Sequence, residues 1–563
     1  MGNQLTGAEA LVRMLDAQGV RHIFGLCGDT TLPLYDALYR LDHSITHILT
    51  RDERSAAYMA DAYARVTGRV GVCEGPSGGG ATYILPGLIE ASESSYAVLA
   101  LTSDVSVAAA GKYPLTEVDQ KALMQPLTKW NTVVQRGEHI PRMVRAAFRA
   151  MTTGRPGAAH LGLPFDVLGE PAAPDDIWAD PATATFPAYP VAPAPGAAEA
   201  AVDAILSAQN PLIVAGGGVV IAGAMEELAR LAARLDIPVA TSISGQGALA
   251  DTHPQALGVV GSNGGTPETW EMMQGADLVV FMGVRAGSTT TARWEAPGPR
   301  TRIVHFDVDP MVPGANYRTE VAVLGDLRLA LAQVNAVLDT RGQGATSFGG
   351  AAAVAQRKQR KFDSFNARAA SDETPIRPER IVRALQQLLP ADATIVSDPG
   401  TSCPYLSAYF RQRLPGRFFL TNRAHGALGW SMSAALGAWV GRPSSKVVAV
   451  MGDGSFGFTV GELETVTRLG APVTFIVLAN REFGWIKASQ KDGYGARYHN
   501  VDISPTRHAD IAAAYGLKSW SVMDPADLKQ ALTGALETDG PTLVEIVTQP
   551  LEEADVPVSR WMG

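Results

Sequence analysis

Residues 451–485, MGDGSFGFTVGELETVTRLGAPVTFIVLANREFGW, decide how the rest of the chain is read. The apolar run just before them, Lys446–Met451, reads as a buried strand. It delivers Gly452, Asp453 and Gly454 into a tight turn, with Ser455 next in line. A helix is expected to follow, because Val460, Leu463, Val466 and Leu469 recur at three-residue steps with Glu462 and Glu464 on other faces. Pro472 is expected to stop it, and Val473–Ala479 is a second buried strand ending at Asn480. Strand, helix, strand implies a right-handed parallel crossover, which brings Asp453 and Asn480 to one sheet edge. A carboxylate and an amide oxygen there suit Mg²⁺, a hard ion that takes oxygen ligands and usually keeps diphosphate oxygens among them. The glycines let backbone N–H groups approach an anion. An ordinary turn is the competing reading of Gly-Asp-Gly, and the asparagine after the second strand weighs against it.

At 563 residues the chain is too long for one core and predicts about three domains. It is 46% hydrophobic and 18% charged, the balance of a soluble α/β protein. A net charge of −9 without a basic cluster argues against nucleic acid as a partner. Cys27, Cys73 and Cys403 are too widely spaced for a disulfide framework or a zinc site, which points to a reducing cytoplasm. No apolar run reaches the roughly 18 residues of a membrane span. MGNQLT fits a myristoylation pattern formally. The preferred reading is a capping box, Thr6 with Glu9, for the helix GAEALVRMLDAQG.

Residues 1–185 alternate helix with buried strand, the pattern of a doubly wound parallel sheet. Glu53 follows the strand ITHILT and heads the helix RSAAYMADAYARVTG. Taken alone, it is a first-turn glutamate favoured by the helix dipole. Gly75-Pro76-Ser77-Gly78-Gly79-Gly80 is a glycine-rich turn expected both to pack closely on a partner backbone and to serve a ligand. Asp29, Thr30 and Thr31 are candidate substrate contacts or plain caps. FPAYPVAPAPGAA (186–198) reads as a linker. The α/β pattern then restarts over 186–345, with Gly216-Gly217-Gly218 after a strand. A second linker, 340–375, leads into a third α/β region that spans the remainder of 346–563. In it, Gly400, Thr401 and Ser402 offer N–H and hydroxyl donors to a diphosphate. The expected fold is therefore α/β, with three doubly wound parallel-sheet domains.

GDG, then residues 455–479, then Asn480 resembles the thiamine-diphosphate (ThDP) motif of the superfamily of acetolactate synthase, pyruvate oxidase and benzoylformate decarboxylase. Asp52-Glu53-Arg54-Ser55-Ala56-Ala57-Tyr58-Met59-Ala60-Asp61-Ala62-Tyr63-Ala64-Arg65 resembles that family's glutamate segment. The resemblance covers nearly the whole chain in the family's order: pyrimidine-binding, Rossmann-like middle, and diphosphate-binding domains. It implies that Asp453, Asn480 and the carbonyl of Glu482 hold Mg²⁺. It implies that Glu53 bonds N1′ of the aminopyrimidine and takes part in its proton relay. Asn422–Gly437 is similar to the family's GAMG helix entrance, which makes Leu428 the wedge under the cofactor and the Gly426 carbonyl its 4′-amino acceptor. Leu428 is open to a core reading as well. His425 is the one histidine placed near the reaction centre, with a satisfied core position as the alternative.

The same resemblance marks the departures. Thr116 stands where catabolic acetolactate synthases use a glutamine, and Gln120 is a candidate substitute. Ser489 stands where acetohydroxyacid synthases carry tryptophan. In the middle domain Arg285 survives from the FAD-binding pattern while its acidic pair and second arginine are replaced, so FAD is an open alternative there. Asp307 and Asp309 either meet a ribose or cap a turn. Lys487, Arg497, His499 and the C-terminal tail from Glu552 are expected to be solvated surface, with closure over the site as the alternative. The implied activity is an acetolactate synthase-like carboligase acting on a 2-oxo acid such as pyruvate, in a cytoplasmic homodimer at minimum and a homotetramer by expectation. A 2-oxo acid decarboxylase or 2-hydroxy ketone lyase is the alternative, and a ThDP-free regulatory relative is argued against by intact Glu53, Asp453 and Asn480.

Overall fold

The computed structural model describes residues 4–341 and 347–554. Among them the chain forms two compact units. The first comprises Met1–Tyr189, Asn422–Ser444 and Thr459–Ala471; the second comprises Pro190–Thr421, Ser445–Phe458 and Pro472–Gly563. The first change of unit along the chain falls at Tyr189/Pro190. Two segments of the expected third domain group with the N-terminal region.

In the first unit a short antiparallel pair, β1 (Leu5–Thr6) with β8 (Pro171–Ala172), flanks a six-stranded parallel sheet. Its strands are β2 (His22–Gly25), β3 (Thr46–Leu49), β4 (Gly71–Gly75), β5 (Val98–Asp104), β6 (Trp130–Val133) and β7 (Ala159–Pro164), in the order β3-β2-β4-β5-β7-β6. Every residue of β4, β5 and β7 is buried, as an apolar run covered on both faces requires. The order reverses between β2 and β4, so the ligand crevice expected of such a sheet lies beyond Gly25 and Gly75. Thr6 and Glu9 form the expected capping box.

The second unit holds two more parallel six-stranded sheets. One contains β9 (Pro211–Ala215), β10 (Val239–Thr241), β11 (Ala256–Val259), β12 (Leu278–Met282), β13 (Arg302–Asp307) and β14 (Val321–Leu324), in the order β11-β10-β9-β12-β13-β14. The other contains β15 (Thr394–Ser397), β16 (Phe419–Thr421), β17 (Val447–Gly452), β18 (Val473–Ala479), β19 (Lys518–Val522) and β20 (Thr542–Val547), in the order β16-β15-β17-β18-β20-β19. Its order reverses between β15 and β17, at Ser397 and Gly452. The fold is α/β with three doubly wound parallel sheets.

Around the opening stretch the structure differs in detail from the expectation. β17 runs to Gly452 and a helix starts at Asp453 itself, so no separate turn intervenes. That helix ends at Thr459, a 3₁₀ turn covers Val460–Glu462, and a second helix spans Leu463–Leu469. Gly470 at φ 59° ends it rather than Pro472, because a left-handed residue closes the last turn and glycine takes that conformation without strain. Glu462 is buried, not outward: its carboxylate accepts from the Arg51 N–H at 2.9 Å and from the Thr465 hydroxyl at 2.7 Å. In the second linker, residues 342–346 lie outside the described residues, and Gly350–Ala369 is a helix.

Candidate active site

In the first unit the helix Glu53–Thr67 starts where β3 ends. Asp52 caps it, accepting from the Arg54 N–H at 2.7 Å, and Gly68 in the left-handed conformation closes it. This fixes Glu53 at the carboxyl end of the sheet, 6% exposed. Its carboxyl lies against the glycine turn: a Cβ on Gly80 would come 3.1 Å from Oε1, and one on Gly75 would come 3.1 Å from Cγ. Burial raises its pKa above 4.5, and Asp52 and Glu74 add to the rise against its own backbone N–H. Such a carboxyl keeps a proton at higher pH than a solvated one.

Three groups beside it carry no sequence signal in isolation. Glu74, the residue before Gly75, is buried; Tyr35 Oη–H donates to its Oε1 at 2.6 Å, and His47 Nε2 lies 3.1 Å from the same oxygen. Its Oε2 is buried without a partner. Burial and Glu74 raise the Tyr35 phenol. Their convergence is set by β2, β3 and β4 lying side by side, which no local pattern states.

The helix itself is held from behind. Arg65 lies 2.9 Å from both Asp61 and Glu90, all three buried. Trp430 Nε1–H donates to Asp61 at 3.1 Å, and Ser433 donates to Ser55 at 3.0 Å. Burial pushes the Asp61 carboxyl up to about 6 despite Arg65. The helix Trp430–Gly441 approaches so closely that a Cβ on Gly437 would collide with the Met59 carbonyl oxygen. The MADAYAR segment is therefore a packing surface as well as the support of Glu53.

In the second unit Asp453 is buried and its carboxylate is pinned by three backbone donors. Gly454 N–H donates to Oδ1 at 2.8 Å, while Asn480 and Arg481 N–H donate to Oδ2 at 3.1 and 2.6 Å. Burial raises this carboxyl, and those N–H groups oppose the rise. A carboxylate offers about four lone-pair directions, so three donors leave one open to a cation. The Asn480 amide nitrogen and Glu482 Oε1 are buried without hydrogen-bond partners. Both converge with Thr401 Oγ1 on Gly484, whose added Cβ would lie 3.1–3.2 Å from each. Turning the amide end over presents its oxygen instead. Buried polar atoms left unsatisfied on a glycine floor are the chemistry expected where a hard cation and an anion bind together. Among the described residues no hydrogen bond outside helices and strands takes the Gly400 or Thr401 N–H, and Gly400 sits at φ 103°. The Ser402 hydroxyl is spent on its own loop, donating to the Asp398 carbonyl at 3.0 Å and accepting from Ser397 at 3.0 Å. Gly454 packs under the Phe483 ring, and Ser455 is buried.

Other expectations resolve individually. His425 is exposed rather than in a core, and its N–H donates to Glu90 at 2.7 Å. Gly426 is exposed at φ 76°, and Leu428 is half-buried. His508, which the sequence did not single out, is the histidine beside the Asp453 helix: its ring meets Phe456 edge-on, and its Nδ1 lies 2.7 Å from Glu545. Gln120 is buried and donates to the Ser103 carbonyl at 2.7 Å. Thr116 sits at φ 71° with its hydroxyl 2.7 Å from Ser77. Asp29 is exposed and starts a 3₁₀ turn. Thr31 bonds Gly28, and Thr30 donates to Ser77 at 3.2 Å, so both threonines serve the loop. Ser489 donates back to the Trp485 carbonyl at 2.9 Å. Lys487 is not solvated surface: it pairs with Glu482, Asp502 and Glu552 at 2.8, 2.9 and 3.2 Å. Burial, then Glu552, pushes Glu482 up to about 8. Arg497 and His499 are exposed, and tail residues 555–563 lie outside the described residues.

In the middle sheet, Gly216 and Gly218 N–H are taken by the Met282 and Gly283 carbonyls, and the glycine turn packs backbone to backbone against Gly283. The glycines serve packing, and these two donors are not free for a nucleotide pyrophosphate. Asp307 and Asp309 each accept a turn N–H, at 2.9 and 3.0 Å. Arg285 is exposed.

Comparison with known proteins agrees with this layout. Residues 5–123 match the N-terminal TPP binding domain of thiamine pyrophosphate enzymes, residues 198–334 the central domain, and residues 398–546 the C-terminal TPP binding domain. The chain belongs to the thiamine pyrophosphate enzyme family. It is 34% identical to the probable acetolactate synthase large subunit of Methanocaldococcus jannaschii, over 97% of this chain and 93% of that one. It is 32% identical to the acetolactate synthase large subunit of Parasynechococcus marenigrum, over 96% and 87%. It is 31% identical to acetolactate synthase isozyme 2 large subunit of Escherichia coli, over 97% and 96%. This thiamine pyrophosphate enzyme is thus acetolactate synthase-like from end to end. Among the described residues, no helix is long and apolar enough to cross a membrane.

Proposed function

We propose that the protein is a ThDP- and Mg²⁺-dependent carboligase of the acetolactate synthase type, decarboxylating a 2-oxo acid such as pyruvate and joining the remaining fragment to a second carbonyl. The observation that carries the reading is the buried Glu53 carboxyl on the Gly75–Gly80 turn, in a chain aligned along its length with acetolactate synthases. When bound, the cofactor supplies a carbon nucleophile and an electron sink for decarboxylation. Burial disfavours the Glu53 carboxylate, so this side chain would hold a proton facing N1′ of a bound aminopyrimidine. Gly426 would offer its carbonyl to the 4′-amino group, Leu428 would support the cofactor, and exposed His425 would face the substrate. Asp453, Asn480 and the Glu482 carbonyl ligate Mg²⁺. The Gly400 and Thr401 N–H groups, the Thr401 hydroxyl, and the backbone at Ser402, Gly452 and Ser455 would receive the diphosphate, with Gly454, whose N–H is taken by Asp453, closing the turn beside it. Family membership supports assembly as a homodimer at least, with a dimer of dimers as the fuller form. A cytoplasmic location fits the free cysteines. FAD is left out of the proposal, since two N–H groups of the middle glycine turn are already bonded to backbone.

The test is incubation of the protein with ThDP, Mg²⁺ and pyruvate, followed by product analysis. Acetolactate is expected. Acetaldehyde without acetolactate would replace the carboligase by a 2-oxo acid decarboxylase.

A further inference from the structure

The second unit contains a group of cations that this reaction does not use. A cavity of about 400 Å³ opens among the helices Gly350–Ala369 and Pro378–Leu388 and the segment following Ser402–Tyr409. Lys358, Arg383 and Arg411 line it beside Phe362 and Tyr409, and its lining residues include no acid. A smaller chamber shares Lys358, Phe362 and Arg411 and adds Lys361 and Asp251.

These cations are unusual in how they are paired. Lys361 is 6% exposed, and its ammonium forms no hydrogen bond or ion pair with any described residue. It lies 5.5 and 5.8 Å from the Phe362 and Tyr409 ring centres. Gly258 at φ 109° leaves room for it, since a Cβ there would come 3.4 Å from Nζ. Lys358 donates to the Asp251 carbonyl at 2.7 Å, a neutral partner. The Arg411 guanidinium rests 5.0 Å over Phe362. Arg383 forms no ion pair among the described residues. The Asp251 carboxylate accepts the Gln412 N–H at 2.7 Å and reaches none of the four cations closely enough to pair. Glu268 and Asp372 act only at longer range. Elsewhere in this unit arginines pair directly, as in Arg302–Glu320, Arg360–Glu271 and Arg368–Glu379. Burial pulls Lys361 down to about 8 and lowers Lys358 and Arg383 too. Lys361 is buried and Lys358 partly so, with the Asp251 charge acting on both from beyond ion-pair distance, and such weakly compensated burial raises the free energy of the ligand-free protein. A bound anion relieves that cost.

We propose that this cavity binds a compact organic polyanion, either phosphorylated or polycarboxylate, as a second ligand beside the cofactor. Its volume lies in the range of small-molecule sites. The acid groups sit among Lys358, Arg383 and Arg411, with Lys361 behind them and the aromatic rings bounding the organic part.

The test uses full-length protein saturated with ThDP and Mg²⁺, so that the diphosphate site is filled. It is titrated calorimetrically with pyrophosphate, ADP and citrate. One additional site per chain is expected for at least one probe, weakened by salt and weakened tenfold or more in Arg383→Ala and Lys361→Met. Binding of pyrophosphate or ADP identifies a phosphorylated ligand, and binding of citrate alone a polycarboxylate. If Lys361→Met does not fold, half-exposed Arg383 carries the comparison. No heat with any probe, or undiminished binding in the folded variants, overturns the proposal. The readout is heat of binding, so it stands apart from which reaction the enzyme carries out.

Discussion

Glu53 and Asp453 are both buried carboxyls at the first residue of a helix that follows a parallel strand, one in each unit. Burial raises both carboxyls, and their surroundings differ in how far they oppose that rise. Asp453 accepts three backbone N–H groups, which favour its charged form and fix its oxygens. Among the described residues Glu53 has only its own backbone N–H directed at it, and Asp52 and Glu74 oppose its ionisation. The first environment suits a group that must carry charge toward a cation, the second a group that must hold a proton. The same residue chemistry at the same kind of sheet edge is thus divided by the donors that the neighbouring loop supplies.

The contrast can be broken most severely at Glu53. Glu53→Gln keeps the shape but cannot carry the proton, and kcat is expected to fall about 10²–10⁴-fold while ThDP binding persists. Steady-state kinetics alongside ThDP titration reads both, and undiminished kcat would end the proton-relay role. Next comes the support behind it. Arg65→Met leaves Asp61 and Glu90 buried without their cation, at a cost of about 3–5 kcal/mol of stability by denaturant unfolding. Asp453→Asn retains the amide geometry but removes the charge, and cofactor-dependent activity is expected to need about 10–100-fold more Mg²⁺. A Mg²⁺ titration of activity checks it. The smallest effect sharpens the comparison through pH. A carboxyl with a raised folded pKa contributes fully below its unfolded value near 4.5, and that contribution is lost as pH rises through the folded value. Wild-type cofactor-free protein should therefore lose stability relative to Glu53→Gln as pH rises above about 4.5. Paired Tm measurements across that window read the sign.

Much of this was legible before any coordinates. β18 matches the expected run Val473–Ala479, and the Glu53 helix closes at Gly68 as read. Both follow from local rules, a continuous apolar run and a left-handed glycine stop. Of the strands that escaped, β6, β11, β14, β16 and β19 lie at sheet edges, whereas β20 lies between β18 and β19. Edge strands are short and partly solvated, so their apolar signal is weak. Glu462 escaped for a different reason. A glutamate on a helix reads as outward unless something buried needs its oxygens, and here the Arg51 N–H, distant in sequence, does.

The sequence by itself determined the α/β class, the strand-ending positions of Glu53, Asp453 and Asn480, and the family resemblance, because periodicity and motif spacing are properties of neighbouring residues. Only the tertiary structure decided which buried carboxyl receives backbone donors, since those come from other strands and loops. It alone brought Tyr35, His47 and Glu74 together beside Glu53 and gathered four cations without a pairing carboxylate. Burial and partnership are long-range properties, and they set the electrostatics that a motif names but does not supply.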